Sequence, residues 1–262
     1  MNPFTFLRRL IFVPTCVICK ERLSPFPDSS ISTHGKICLC NDCHKKWREA
    51  TGELCSRCAI PAYRCTCVPK LLSDNYSNIP SLFFYDAETE NAQNKVIYSL
   101  KRIRNRELTE FLAFELYPHL VDEIKAKGIS RDSLVFTWIP RRKSTISKYG
   151  FDHGRELARA LSRLMGMTPM PILLRLGGKE QKKLDVEHRR KNLESSVILN
   201  RNLLGFPLSD NRNDLLLVLK NKNVVIIDDV ITTGASMKRA IELVRSVCDG
   251  QIIILSTART IK

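Results

Sequence analysis

Apolar positions along this chain fall into two rhythms, short continuous runs and helical spacings, and their alternation predicts strands followed by helices. Residues 82–85 form an apolar run after a polar stretch at 73–80 and predict a strand. In residues 90–101, Val96, Ile97 and Leu100 recur at helical spacing. A second helix from about Glu107 carries Leu108, Phe111, Leu112 and Leu116, and Pro118 is expected to end or kink it. Residues 134–139 read as the next buried strand, with Pro140, Arg141, Arg142 and Lys143 at its carboxyl end. The polar stretch 144–152 separates this strand from a helix bearing Leu157, Ala158, Leu161 and Leu164, and residues 195–215 predict no definite element.

The run from Val224 to Ile227 consists of four β-branched residues and predicts a strand buried on both faces. Asp228 and Asp229 are expected to end it. A hydroxyl-rich turn with Gly234 follows, then a helix with Ala240, Ile241, Val244 and Val247 on one side, and a last strand at 252–255. Strands alternating with helices predict an α/β fold with a mainly parallel sheet.

Size and composition add a second unit to this picture. The chain has 262 residues, and nine of its ten cysteines precede residue 68, so a cysteine-rich domain at 1–72 and an α/β domain at 73–262 are expected. The cysteines fall as Cys16 and Cys19, then Cys38, Cys40 and Cys43, then Cys55 and Cys58, then Cys65 and Cys67. Thiolates two or three positions apart can share one tetrahedral ion, and two such pairs close a structural zinc site. Sequential pairing assigns Cys16, Cys19, Cys40 and Cys43 to one zinc ion and Cys55, Cys58, Cys65 and Cys67 to another, leaving Cys38 spare. A single zinc ion or an interleaved arrangement satisfies the same spacing. A disulfide framework would require an oxidising compartment. The apolar stretch near the start, residues 4–14, is too short for a secretory signal and lacks a small-residue cleavage site, so a cytoplasmic address is expected. No apolar run reaches the roughly 18 residues of a membrane span. Cys248, alone on the late helix, reads as a small buried apolar residue.

The net charge is +15, with basic clusters at residues 101–106, 141–143 and 182–191. Such clusters suit a polyanionic partner, either a nucleic-acid backbone or a polyphosphate. Aromatic residues are scattered and form no evident stacking platform.

The most specific chemistry lies at the turn after the β-branched run. Amides at a helix start lack intrahelical partners, and the helix dipole adds partial positive charge there. A phosphate seated on Ile231, Thr232, Thr233, Gly234, Ala235 and Ser236 would meet those amides and three hydroxyls. Asp228 and Asp229 stand just before, where carboxylates can accept from two neighbouring ribose hydroxyls. At the end of the preceding strand, Arg141 and Arg142 would reach a pyrophosphate from the same rim.

This segment closely resembles the phosphoribosyl pyrophosphate (PRPP) motif of type I phosphoribosyltransferases: an apolar strand, two acids, then a hydroxyl-rich glycine turn. The resemblance implies that fold, with the two acids at the ribose hydroxyls, residues 232–236 around the 5′-phosphate, and Mg²⁺ as a cofactor. Nearly the whole chain resembles one branch, the ComF proteins. The cysteine pairs, Ile97 to Lys101, Ile139 to Arg142, Lys148 to His153 and Gln181 to Asn192 each match an element of that branch. Two departures stand out: Lys148-Tyr149 replaces an arginine before Gly150, and Asp152-His153 replaces an Asn-Gln pair. Lys101, Gln181 and Arg189 are further rim candidates, while His34 and His44 are dispensable as ligands given so many cysteines.

The ComF resemblance implies a part in natural transformation, with PRPP or a related sugar phosphate bound and incoming single-stranded DNA handled in the cytoplasm. The alternative is a phosphoribosyltransferase acting on a nucleobase or other nitrogen acceptor. A third reading is a zinc-ribbon adaptor for a competence helicase. Transferases of this kind need a hood over the base, and only the cysteine head or residues 165–215 could supply one, which places DNA uptake first.

Overall fold

The structure is a computed structural model, and it describes residues 13–23, 38–176, 197–200 and 211–260. The basic cluster at 182–191, together with Gln181, Arg189, Asn192 and His34, lies outside the described residues.

Four parallel strands form the central sheet: β1 (Ser81–Phe84), β2 (Leu134–Trp138), β5 (Asn223–Ile231) and β6 (Ile252–Arg259), in the order β1-β6-β5-β2. Each crossover is helical, as parallel neighbours require. Helices α2 (Ala92–Arg102) and α3 (Arg106–Ala126) follow β1, while α4 (Lys143–Tyr149) and α5 (His153–Leu164) follow β2. Helix α7 (Ala235–Arg245) joins β5 to β6, and α6 (Asn211–Leu219) precedes β5. A separate antiparallel ribbon pairs β3 (Leu173–Arg175) with β4 (Val197–Leu199). The cysteine-rich head contributes helix α1 (Asn41–Thr51).

Alternation along β5 builds two apolar layers. Val225 and Ile227 pack with Leu112, Leu116 and Leu157 of α3 and α5. Val224 and Ile226 pack with Ala240 and Val244 of α7 on the other face. The head shares the first layer. Trp47 of α1 stands edge-on to Phe83, 5.3 Å between ring centres, and to Phe111, 5.4 Å, and its indole N–H donates to Glu115 at 3.0 Å.

Beyond the ribbon and α6, which the sequence did not predict, other elements also differ from expectation. Strand β5 does not stop at the acids, because Asp228, Val230 and Ile231 keep their pairing with Ser256, Ala258 and Arg259 of β6. For the same reason β6 runs on to Arg259 rather than ending at Leu255. Pro118 neither ends nor breaks α3, which continues to Ala126. Burial of Leu120 and Ile124 beyond it offsets the roughly 3 kcal/mol that an interior proline costs. The polar stretch after β2 contains the short helix α4, closed by Gly150 at φ 79°, a left-handed cap that glycine adopts without strain. No helix among the described residues is long and apolar enough to cross a membrane.

Candidate functional site

Strand β2 pairs with β5 only as far as Ile227, and the Ile139 amide adds one last bond to the Ile227 carbonyl. Beyond that point β5 has a partner on one side only. Asp228 onward therefore borders an open cleft at the carboxyl rim of the sheet, where parallel α/β sheets place ligands. A cavity of about 270 Å³ fills it, lined by Arg142, Asp228, Thr232, Thr233, Gly234 and Ser236 among others.

The loop is shaped to leave donors exposed. Gly234 caps α7 at φ 83° with no side-chain acceptor, so the first amides of the helix point into the cavity without an internal partner. Only Thr233 Oγ1 approaches the Ala235 amide, at 3.4 Å. A Cβ at Gly234 would stand 2.9 Å from a Leu72 methyl, so glycine is demanded twice, by the backbone angle and by close packing against the segment leaving the head. Thr260 ties the other side down: its amide donates to the Ile231 carbonyl at 3.0 Å and its hydroxyl to the Thr232 carbonyl at 3.3 Å.

The two acids are placed differently. Asp228 lines the cavity; Asp229 does not, and instead meets Lys101 Nζ at 3.2 Å and His153 Nε2 at 2.9 Å. Burial, together with the neighbouring Asp229 charge, holds Asp228 well above the usual carboxylate range. Burial pushes Asp229 up as well, but His153 and Lys101 overcome it and hold that carboxyl well below the usual range. The pair therefore holds one carboxylate kept charged by His153 and Lys101 and one carboxyl that burial and its charged neighbour push toward the protonated form. Ribose hydroxyls or a cation at Asp228 would favour its charged form.

The adjacent arginines also part. Arg142 lines the cavity, whereas Arg141 turns into a neighbouring cavity of about 390 Å³. Its guanidinium lies 4.8 Å from the Tyr149 ring centre, and its Nη1 is buried without a hydrogen-bond partner. Burial lowers the Arg141 pKa, against the pull of Asp229 and Asp152, yet a guanidinium keeps its charge through such shifts. Asp152 fixes this corner. One of its oxygens accepts from Trp138 Nε1 at 3.1 Å and the Arg141 amide at 3.2 Å, and the other caps α5 at the Gly154 and Arg155 amides. All four partners are donors, which accounts for an acid where the resembling family carries asparagine.

Arg175, on β3, is a site residue that sequence reasoning missed. Its guanidinium donates to Ser236 Oγ and to the Pro140 carbonyl, each at 3.4 Å, bridging the glycine turn and the arginine turn. Burial and the Arg142 charge lower its pKa while Asp228 raises it. One arginine after two leucines in an unassigned region carries no sequence signal of such a role.

In the head, two groups of four sulfurs lie within 4.8 Å of one another: Cys16, Cys19, Cys40 and Cys43, and Cys55, Cys58, Cys65 and Cys67. Each can hold a metal ion. The first pair of each group sits in the same turn. Lys20 and Ala59, directly after Cys19 and Cys58, have φ of 68° and 53°. Their amides donate to the Cys16 and Cys55 carbonyls at 3.0 and 2.9 Å, and bridges Thr15–Arg22 and Leu54–Pro61 close the two turns alike. This duplicated turn aims two sulfurs at one point, which a free pair of buried thiols does not require. Cys38 is buried outside both groups, and burial raises its pKa. Cys248 is buried, with its sulfur against the Lys222 carbonyl at 3.1 Å.

A family model described as phosphoribosyl transferase domain matches residues 152–259, from the acid that caps α5 to the end of β6. That stretch holds β5, α7 and the cavity loop, so the part of the chain that carries the cavity is similar to a phosphoribosyl transferase domain. No curated protein matches the chain.

Proposed function

We propose that this protein binds PRPP with Mg²⁺ in the cavity between β5 and α7 and, as a ComF-like protein, takes part in receiving single-stranded DNA in the cytoplasm. The observation that carries the first half is the uncapped start of α7 opening into a cavity bordered by Asp228 and Arg142. Amides of residues 233–236 and the hydroxyls of Thr232, Thr233 and Ser236 take the 5′-phosphate. Asp228 accepts from a ribose hydroxyl, and Asp229, held by His153 and Lys101, is the second ribose candidate. Arg141, Arg142 and Arg175 supply positive charge for a pyrophosphate. The carboxyl of Asp228, at the edge of the cavity, suits a divalent cation; when bound, Mg²⁺ would neutralise pyrophosphate oxygens and polarise their bond to the ribose. Residues 1–72 act as the metal-stabilised head, with zinc in both cysteine groups, and residues 73–262 as the PRPP-binding domain.

Calorimetric titration with PRPP and Mg²⁺ should give saturable binding that disappears in the Asp228→Asn/Asp229→Asn double variant. Equal affinity in the double variant would refute the pocket assignment.

The nucleic-acid half draws on one face of α5. Arg155, Arg159 and Arg163 are exposed one turn apart, so their charges repeat about every 6 Å along the axis. Arg159 and Arg163, with Arg104 and Arg106 at the start of α3, border a cleft of about 370 Å³. Glu110 and Glu156 pair with several of these arginines, leaving the band net basic.

A second reading, transfer of the phosphoribosyl group to a nitrogen acceptor, is favoured by the apolar wall of the cavity that Arg141 and Arg175 also line. Trp138, Ile146, Phe151 and Leu173 line it, and a flat acceptor fits such walls. Pyrophosphate release from PRPP in the presence of nucleobases or amines would establish the transferase; PRPP binding without any release would leave the binding role.

A further inference from the structure

Arg259, the last residue of β6, is 0% exposed, and no other arginine or lysine is buried among the described residues. Its Nη2 donates to the Cys65 carbonyl at 2.9 Å, and the guanidinium carbon lies 5.6 Å from the Phe84 ring centre. Nε and Nη1 have no hydrogen-bond partner. No carboxylate reaches it among the described residues. The acidic groups beside it are the sulfurs of Cys65, Cys55, Cys67 and Cys58.

An isolated buried guanidinium costs several kcal/mol even after relaxation, so the fold must contain an anion to justify it. Four neutral thiols are not one, and neither are two disulfides. Four bare thiolates would repel one another. Four thiolates around a divalent ion satisfy their own repulsion and still leave surplus negative charge, beside a guanidinium whose Nε and Nη1 are unpartnered. Resting on the metal reading of the cysteine groups, we propose that Arg259 is the counterion of a divalent metal–tetrathiolate centre at Cys55, Cys58, Cys65 and Cys67. The two centres are then chemically unequal. The group at Cys16, Cys19, Cys40 and Cys43 has no buried cation against it among the described residues, and Lys20, which follows Cys19, is turned to the Val17 carbonyl at 2.7 Å.

The arrangement predicts a change of sign. With metal present, Arg259 stabilises the head by neutralising the centre. With metal removed, the same residue is an uncompensated charge and destabilises it. A role confined to packing or to the Cys65 carbonyl would act in one direction under both conditions.

The test uses full-length, zinc-loaded protein and its Arg259→Met variant, an unbranched apolar replacement. Zinc content, chelator-driven zinc release and thermal melting, before and after chelation, are measured on both. Wild type should hold two zinc ions, released in two phases. In the variant one phase should quicken by about 10- to 100-fold, as when a group that tunes a metal ligand is removed, while the other stays unchanged and reports an intact head. The loaded variant should melt below loaded wild type, and the metal-free variant at or above metal-free wild type. Two wild-type release rates in the variant, or melting lowered alike with and without metal, would overturn the counterion role while leaving zinc in place. Absence of zinc from wild type would overturn the metal reading itself. If the methionine variant does not fold, Arg259→Lys decides: it keeps the charge and should retain both ions, and loss of the second ion from it would overturn the role.

Discussion

Trp138 Nε1 donates to Asp152 Oδ2 at 3.1 Å, and through the two oxygens of that carboxylate the end of β2 is tied both to the Arg141 amide and to the start of α5. The packing is close: a Cβ on Gly154 would stand 3.1 Å from the Ile139 carbonyl. Replacing Asp152 with alanine strips the α5 cap, worth about 1 kcal/mol, and strands a buried indole N–H, worth a further 1–3 kcal/mol or so. Asp152→Asn should also destabilise, since its amide nitrogen must face donors on one side or the other. Chemical denaturation checks both, and an unchanged midpoint in Asp152→Asn would refute the four-donor account.

Asp228 should trade stability for binding. Its raised pKa means the folded state favours the protonated form, so its contribution is fully present below the ordinary carboxylate pKa and is lost as pH rises through the higher folded value. Asp228→Asn stays neutral throughout. The variant should therefore lose PRPP affinity yet melt higher than wild type, by a margin that is small near pH ~4 and widens with rising pH. Melting curves across pH without ligand measure that margin, and a constant difference would contradict the assignment.

Asp229 behaves oppositely. Its depressed pKa contributes stability above the ordinary carboxylate range that is lost as pH falls through the folded value. His153→Ala removes the 2.9 Å contact and weakens that depression. The deficit of His153→Ala should shrink as pH falls through the acidic range, as followed by denaturant midpoints at stepped pH.

The predictions draw on parts of the fold that were unequally visible in the sequence. The β-branched run, the acid pair and the glycine turn were legible because a buried parallel strand and a helix start impose local residue choices, and the cysteine spacing was legible because a tetrahedral ion fixes it. The extent of β5 was not. Polar Asp228 and Asp229 look like an end, and only pairing with β6 keeps them in the sheet. Arg175, Arg259 and the tie from Trp138 to Asp152 were hidden for a common reason: each acts on residues far away in sequence, where spacing carries no message.

Nucleic-acid binding gives a quantitative test. If α5 holds a single strand, Arg155→Ala, Arg159→Ala and Arg163→Ala should each lower the slope of log affinity against log salt by about 0.7. Fluorescence anisotropy with a short oligonucleotide measures it, and slopes equal to wild type would exclude this face.

Gly234→Ala should weaken sugar-phosphate binding and cost about 1–2 kcal/mol from its left-handed backbone alone. A companion change of Leu72 to alanine should restore part of the steric loss and none of the backbone strain, so the double variant should recover only partly in denaturation and in PRPP titration.

The strand order has a consequence for how the molecule can be divided. Both central strands, β6 and β5, lie within residues 152–259, while the two flanking strands, β1 and β2, come from earlier in the chain. A fragment cut to that stretch would present two raw sheet margins at once, each a row of unpaired backbone groups on an apolar strand and each a template for self-assembly. The recognisable stretch of this protein is thus not self-standing, and the cover for its sheet margins is on loan from the residues that precede it.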